Sequence, residues 1–167
     1  MEHLLIKSLF NKFELWKADQ SALLLTMVRP KWYARTMVFD WKGDSYKIEA
    51  KSLTGFKNIM LQNGREKGEL EMEWKSTFTL RLEDETGMTK YFTFKKKSTF
   101  GRSYQLTDFQ LQPILEITPF WNWKGFRLEF KVDVFDVSDT EAKHLNIIPA
   151  ICCVFWCTRQ IMRSKNN

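Results

Sequence analysis

Leu145-Asn-Ile-Ile-Pro-Ala-Ile-Cys-Cys-Val-Phe-Trp-Cys157 is the stretch that decides how the rest of the chain is read. From Ile147 to Cys157 nothing charged or strongly polar interrupts it. A helix that is apolar on every side has no solvent face, so it belongs in a core or in a membrane. As helix, residues 147–157 rise about 16 Å, against a hydrocarbon core of about 30 Å. Extending the segment to 145–162 admits Asn146, Thr158, Arg159 and Gln160. Length therefore favours a buried helix, with a tail anchor through residues 145–162 as the alternative. Arg159, Arg163 and Lys165 follow the run and suit a helix C-terminus, where cations meet the dipole. Ser138 and Glu141 have capping-box spacing and predict a helix start. Pro149 leaves two readings: a helix beginning near Ile148 with Pro in its first turn, or an earlier piece kinked at Pro149.

Outside this segment the pattern is β. Tyr46, Ile48 and Ala50 alternate with Lys47, Glu49 and Lys51. Phe78, Leu80 and Leu82 alternate with Thr79, Arg81 and Glu83, and Phe126, Leu128, Phe130, Val132 and Val134 alternate with charged residues. Period-2 alternation buries one face of a strand and wets the other. A Lys-Ser pair recurs at Lys7, Lys51, Lys75 and Lys97, in steps of 44, 24 and 22. Arg29-Pro-Lys-Trp32 and Thr118-Pro-Phe-Trp121 fill the remaining steps, which gives six corners. Between corners lie polar turns, among them Lys42-Gly43, Asn63-Gly64, Asp84-Glu-Thr-Gly87 and Thr107-Asp108. The sixth unit shows no such turn, and Gly125 is read as a break in a long strand.

Six hairpins predict about twelve antiparallel strands. A sheet of that size curls or closes, and closure removes its exposed edges. Eight strands already suffice for a packed interior, so twelve leave a lumen to be filled. The all-apolar helix is the one element suited to fill it. The sequence thus predicts a mainly β single domain over residues 1–167. It is a closed antiparallel barrel built from 1–137, with a capping turn and a central hydrophobic helix in 138–163.

Seven Trp and fourteen Phe exclude a disordered chain. The net charge of +6 favours an anionic partner: a phospholipid surface, nucleic acid or an acidic protein. All three cysteines, Cys152, Cys153 and Cys157, sit inside the apolar run, which argues against a secreted disulfide scaffold. The N-terminal Met-Glu-His-Leu-Leu-Ile-Lys does not read as a signal peptide, so a cytoplasmic setting is expected.

The Lys-Ser corners, the segment Trp41-Lys-Gly-Asp-Ser-Tyr-Lys-Ile-Glu-Ala-Lys-Ser52 and the helix after Val137 together resemble the tubby C-terminal-like superfamily. That superfamily includes the LURP-one-related proteins and the phospholipid scramblases. The resemblance covers nearly the whole chain and implies a twelve-stranded barrel threaded by a hydrophobic C-terminal helix. It also implies phosphoinositide binding or action at membranes for some members. No residue-level binding signature of the family matches, so the resemblance implies a fold and no site.

All corners of one kind lie at one end of a hairpin barrel. The candidate anion-binding residues are Lys31, Arg35, Lys57, Lys95, Lys96, Lys97 and Arg102, and the candidate membrane-facing aromatics are Trp32, Phe120, Trp121 and Trp123. The opposite end gathers Asp19, Asp44, Glu83, Asp84, Glu85 and Asp108. Basic side chains beside exposed rings suit an anionic membrane surface. They suit still better a soluble rim whose rings cover the barrel mouth, because charged rims are usual and edge lysines discourage aggregation. Single-stranded nucleic acid ranks below lipid, because no recognition motif accompanies the charge. Cys153 and Cys157 share a helix face but lack further ligands at metal-binding spacing, so no metal or cofactor is expected. No Gly-x-Ser-x-Gly, Gly-rich phosphate loop or His-Glu-x-x-His motif occurs, and His144 reads as structural. The expectation is a non-enzymatic binding module for anionic phospholipid, cytoplasmic or peripheral to a membrane, with a protein-interaction domain as the alternative.

Overall fold

The computed structural model describes residues 1–31, 35–74 and 76–165. Twelve strands form one closed barrel in which each strand pairs antiparallel with its sequence neighbours and β1 closes against β12. They are β1 (Glu2–Ser8), β2 (Lys12–Lys17), β3 (Leu23–Val28), β4 (Thr36–Trp41), β5 (Asp44–Ala50) and β6 (Lys57–Gln62). They continue as β7 (Arg65–Trp74), β8 (Thr77–Glu83), β9 (Thr89–Lys96), β10 (Tyr104–Thr107), β11 (Pro113–Asn122) and β12 (Arg127–Val134). A single helix, α1 (Ile147–Ser164), runs through the lumen.

The alternation seen in the sequence is the alternation of the barrel wall. Tyr46, Ile48, Phe78, Leu80, Leu82, Phe130 and Val132 point inward and are buried. The hairpin turns are set by residues that accept positive φ. Lys42 and Gly43 have φ of 49° and 82°, and Asn63 and Gly64 have 51° and 81°, the signs a two-residue type I′ turn requires. Gly68 has a different reason to be glycine. A Cβ there would lie 2.7 Å from Leu82 Cδ2 and 3.3 Å from the Arg81 carbonyl, where β7 carries an irregularity against β6.

The helix is held from several directions. Phe155 meets Phe13 of β2 and Phe130 of β12 edge-on, with centroids 4.8 and 5.0 Å away. Trp156 donates its indole N–H to Asn58 of β6 at 3.1 Å, and Cys153 touches Met60 of the same strand. Every residue from Pro149 to Thr158 is buried. No helix among the described residues is long and apolar enough to cross a membrane.

Of the two readings of Pro149 the first holds, and three other local expectations are corrected. The helix begins at Ile147, with Asn146 at the N-cap position and Pro149 in the first turn, where its missing N–H costs nothing. Ser138 and Glu141 do not cap it. Ser138 instead donates through its amide and hydroxyl to Asp136 at 3.0 and 2.8 Å, and residues 138–145 form successive turns. The sixth corner is not at Thr118–Trp121, which lies inside β11. The chain turns at residues 123–126, where the Asn122 side-chain oxygen accepts from the amides of Lys124 and Gly125 at 3.0 and 3.2 Å. Phe126, expected on the inward face, sits in this turn at φ 49° and is exposed.

Candidate functional site

Strand parity fixes what meets at each end. The chain enters the barrel with β1 and leaves it with β12 at the same end, opposite the corners. The helix therefore starts at that end and finishes among the corners. This brings Arg159 and Arg163, from the last turns of α1, to the loops that carry Arg29 and Arg35. Counting corners alone does not place the helix arginines in the rim. An even strand count, followed through to the direction of the helix, is the signal that places them.

Arg29, Arg159 and Arg163 line one shallow hollow with Phe13, Met37, Trp156 and Gln160. Arg159 is half-buried, its guanidinium 4.7 Å above the Phe13 ring. Burial, then the like charges of Arg163 and Arg29, bring its pKa down to about 10. Arg163 is lowered too, by partial desolvation and then by Arg29 and Arg35; its side chain still reaches solvent. Among the described residues no carboxylate forms an ion pair with Arg159 or Arg163. The negative end of the helix dipole at Ser164 is the nearest compensation. Arg159 and Arg163 each feel the like charge of neighbouring arginines, and an anion at this end weakens that repulsion.

The residues chosen from sequence divide into three groups. Lys57 and Lys97 are committed to carboxylates on neighbouring strands, Glu69 at 3.4 Å and Glu116 at 3.0 Å. Lys96 donates to the Thr99 carbonyl at 3.2 Å, and Arg35 donates to the Leu53 carbonyl, which ties loop 29–35 to loop 51–56. Lys31, Lys95 and Arg102 are exposed on the same end, on or beside corner loops. Lys95 and Arg102 make no hydrogen bond or ion pair among the described residues. Trp32 lies outside the described residues, as do Tyr33 and Lys75.

The aromatic expectation extends further than its named residues. Phe120, Trp121 and Trp123 are exposed, Trp123 most at 75%. So are Phe10, Leu53, Phe56, Phe100 and Phe126, with Phe10 and Phe100 fully exposed at their loop tips. The described loops 9–11, 51–56, 97–103 and 123–126 thus each present a large apolar side chain at the basic end. Met88, Phe109 and Leu111 are exposed at the opposite end, so apolar tips alone do not distinguish the two. Cations beside them do. At the opposite end Glu83 is held by Lys67 at 2.7 Å and by Arg65 at 3.5 Å, so that end is mixed in sign.

The three cysteines are buried and free. Burial raises all three thiols, Cys153 to about 12. They behave as small apolar side chains in the lumen. No known protein family, curated protein or solved structure matches this chain.

Proposed function

We propose that the protein is a non-enzymatic, tubby-like module that docks on anionic phospholipid surfaces through the corner end of its barrel, as a cytoplasmic, peripheral membrane protein. One observation carries the reading: exposed apolar loop tips and a cluster of arginines from the loops and the last turns of α1 converge at the end where the helix finishes. Exposed rings such as Phe10, Phe100 and Trp123 suit the headgroup layer, where amphipathic and apolar side chains are stabilised. Each Lys or Arg near an anionic surface adds about 1 kcal/mol. The barrel threaded by a C-terminal helix is the architecture that the tubby-like kinship implies, which supports that kinship.

Vesicle flotation tests the function. The protein is expected to float with vesicles containing a fifth or more of anionic lipid, to stay behind with neutral vesicles, and to lose binding as salt rises. Absence from both vesicle types overturns the reading. Equal binding to both overturns its electrostatic part.

A further inference from the structure

The corner loop between β9 and β10 carries a side chain that docking on a lipid surface leaves unused. Its sequence is Lys96-Lys97-Ser98-Thr99-Phe100-Gly101-Arg102. The ladder of the two strands ends with Lys96 opposite Tyr104, and the Lys97 amide donates to the Ser103 carbonyl at 2.9 Å to close the neck of the loop. Beyond that neck Ser98, Thr99, Phe100 and Arg102 are all exposed, Phe100 completely. The tip can therefore be drawn into an extended shape without breaking the strand ladder.

The two hydroxyls of the tip differ. Ser98 Oγ accepts from the Gly101 amide at 2.9 Å and so holds the turn. Thr99 contributes only its carbonyl, which accepts from Lys96 Nζ at 3.2 Å. Its side-chain hydroxyl makes no hydrogen bond among the described residues. At the corner 51–56, by contrast, the hydroxyls of Ser52 and Thr54 bond each other at 3.0 Å.

Charge singles out the same residue. Of the four Lys-Ser corners, this one alone has a second lysine ahead of the pair; Ile6, Ala50 and Trp74 hold that place at the others. Thr99 thus has lysines three and two residues before it and an exposed ring immediately after it. Cations upstream of a free hydroxyl and an apolar side chain downstream form a pattern that the acidic substrate groove of a basic-directed protein kinase complements. Lys97 pairs with Glu116 at 3.0 Å while half exposed, and a surface pair of that kind is exchanged at little cost.

We propose that Thr99 is a phosphorylation site for a basic-directed serine/threonine kinase, and that the phosphate releases the corner end from an anionic surface. Thr99 Oγ1 attacks the γ-phosphorus of ATP, the bond to the bridging oxygen breaks, ADP leaves, and the hydroxyl proton passes to the kinase's base. The product carries a charge of about −2 beside Lys95, Lys96, Lys97 and Arg102. That charge offsets about two of these cations and repels the lipid phosphates directly, the way a basic surface is switched off an anionic membrane. The release rests on the membrane reading proposed above; the modification itself does not.

The test treats the full chain with magnesium ATP and the catalytic subunit of a cyclic-AMP-dependent kinase. Mass spectrometry locates the phosphate, and flotation on anionic vesicles is compared before and after. Phosphate on Thr99 is expected, with an unchanged melting temperature and about thirtyfold weaker partitioning, the worth of two basic residues at an anionic surface. Thr99→Ala is expected to float after the same treatment. A Thr99 that stays unmodified, or a phosphorylated chain that floats as well as the untreated one, overturns this proposal and leaves the membrane reading standing. A fall in melting temperature that accompanies release overturns the charge mechanism. An untreated chain that does not float overturns the membrane reading and the release together, whatever the mass spectrum shows.

Discussion

Leu111 shows how a single residue can work against the fold. It sits at φ 62°, a left-handed conformation that β-carbons disfavour, in the tight loop 108–112. Asp108 builds that loop, accepting from the amides of Gln110 and Gln112 at 2.9 and 2.8 Å. The Leu111 side chain is exposed, so nothing in packing compensates. Leu111→Gly is therefore expected to raise stability by about 1 kcal/mol, read as a higher urea midpoint with an unchanged slope. The buried thiols give a second residue-scale expectation. Their pKa values are raised in the folded state, so their contribution is complete below the unfolded thiol value of about 8.5. It is then lost as pH climbs toward about 12, the value for Cys153. A melting temperature that holds to about pH 8.5 and falls above it is expected. Replacing the three cysteines with alanine should flatten that fall. A chromogenic disulfide reagent should find no thiol until denaturant is added.

The elements were legible where local chemistry agreed with the global fold. Asn63-Gly64 and Lys42-Gly43 announced their turns, and alternation such as Phe78-Leu80-Leu82 announced its strand, because a half-buried strand leaves that trace. The last hairpin was misplaced because an even spacing of corners outweighed a local signal. Asn122, three residues before Gly125, is the side chain that closes the real turn. The capping-box match at Ser138 and Glu141 failed for a related reason: Asp136 takes Ser138 first. The helix itself was readable as a lumen element because residues 147–157 have no polar face. Phe155 is its most consequential residue, wedged between two rings of the wall and fully buried. Phe155→Ala is expected to cost about 3–5 kcal/mol. That is a large share of a typical 5–15 kcal/mol total, so calorimetry should find the variant melting far lower or unfolded.

At the scale of the whole molecule, the barrel has two chemically different ends, and the sequence told only half of that difference. The loop charges could be assigned by counting corners. The arginine cluster takes one step more, because it depends on which way the helix runs through the lumen, and that direction follows from the even strand count. A cavity lined by Tyr46 and Asn146 was not legible, because those two residues are 100 apart in sequence. Like-charge crowding at the corner end is a stability cost kept for a purpose, in the reading proposed above. Arg163→Gln is accordingly expected to leave thermal stability equal or slightly raised while it weakens flotation with anionic vesicles. A variant that lowers both together would mark Arg163 as a packing residue instead.

The closure of β1 onto β12, with the helix following both, has a consequence for synthesis. Twelve strands are made before the element that fills their interior exists. Until α1 emerges, the inward faces of all these strands have nothing to pack against, and the first strand waits for a partner more than 120 residues away. Chains with such distant pairings fold slowly and expose sticky intermediates. Folding of the barrel is accordingly expected to finish only once the last segment reaches the lumen.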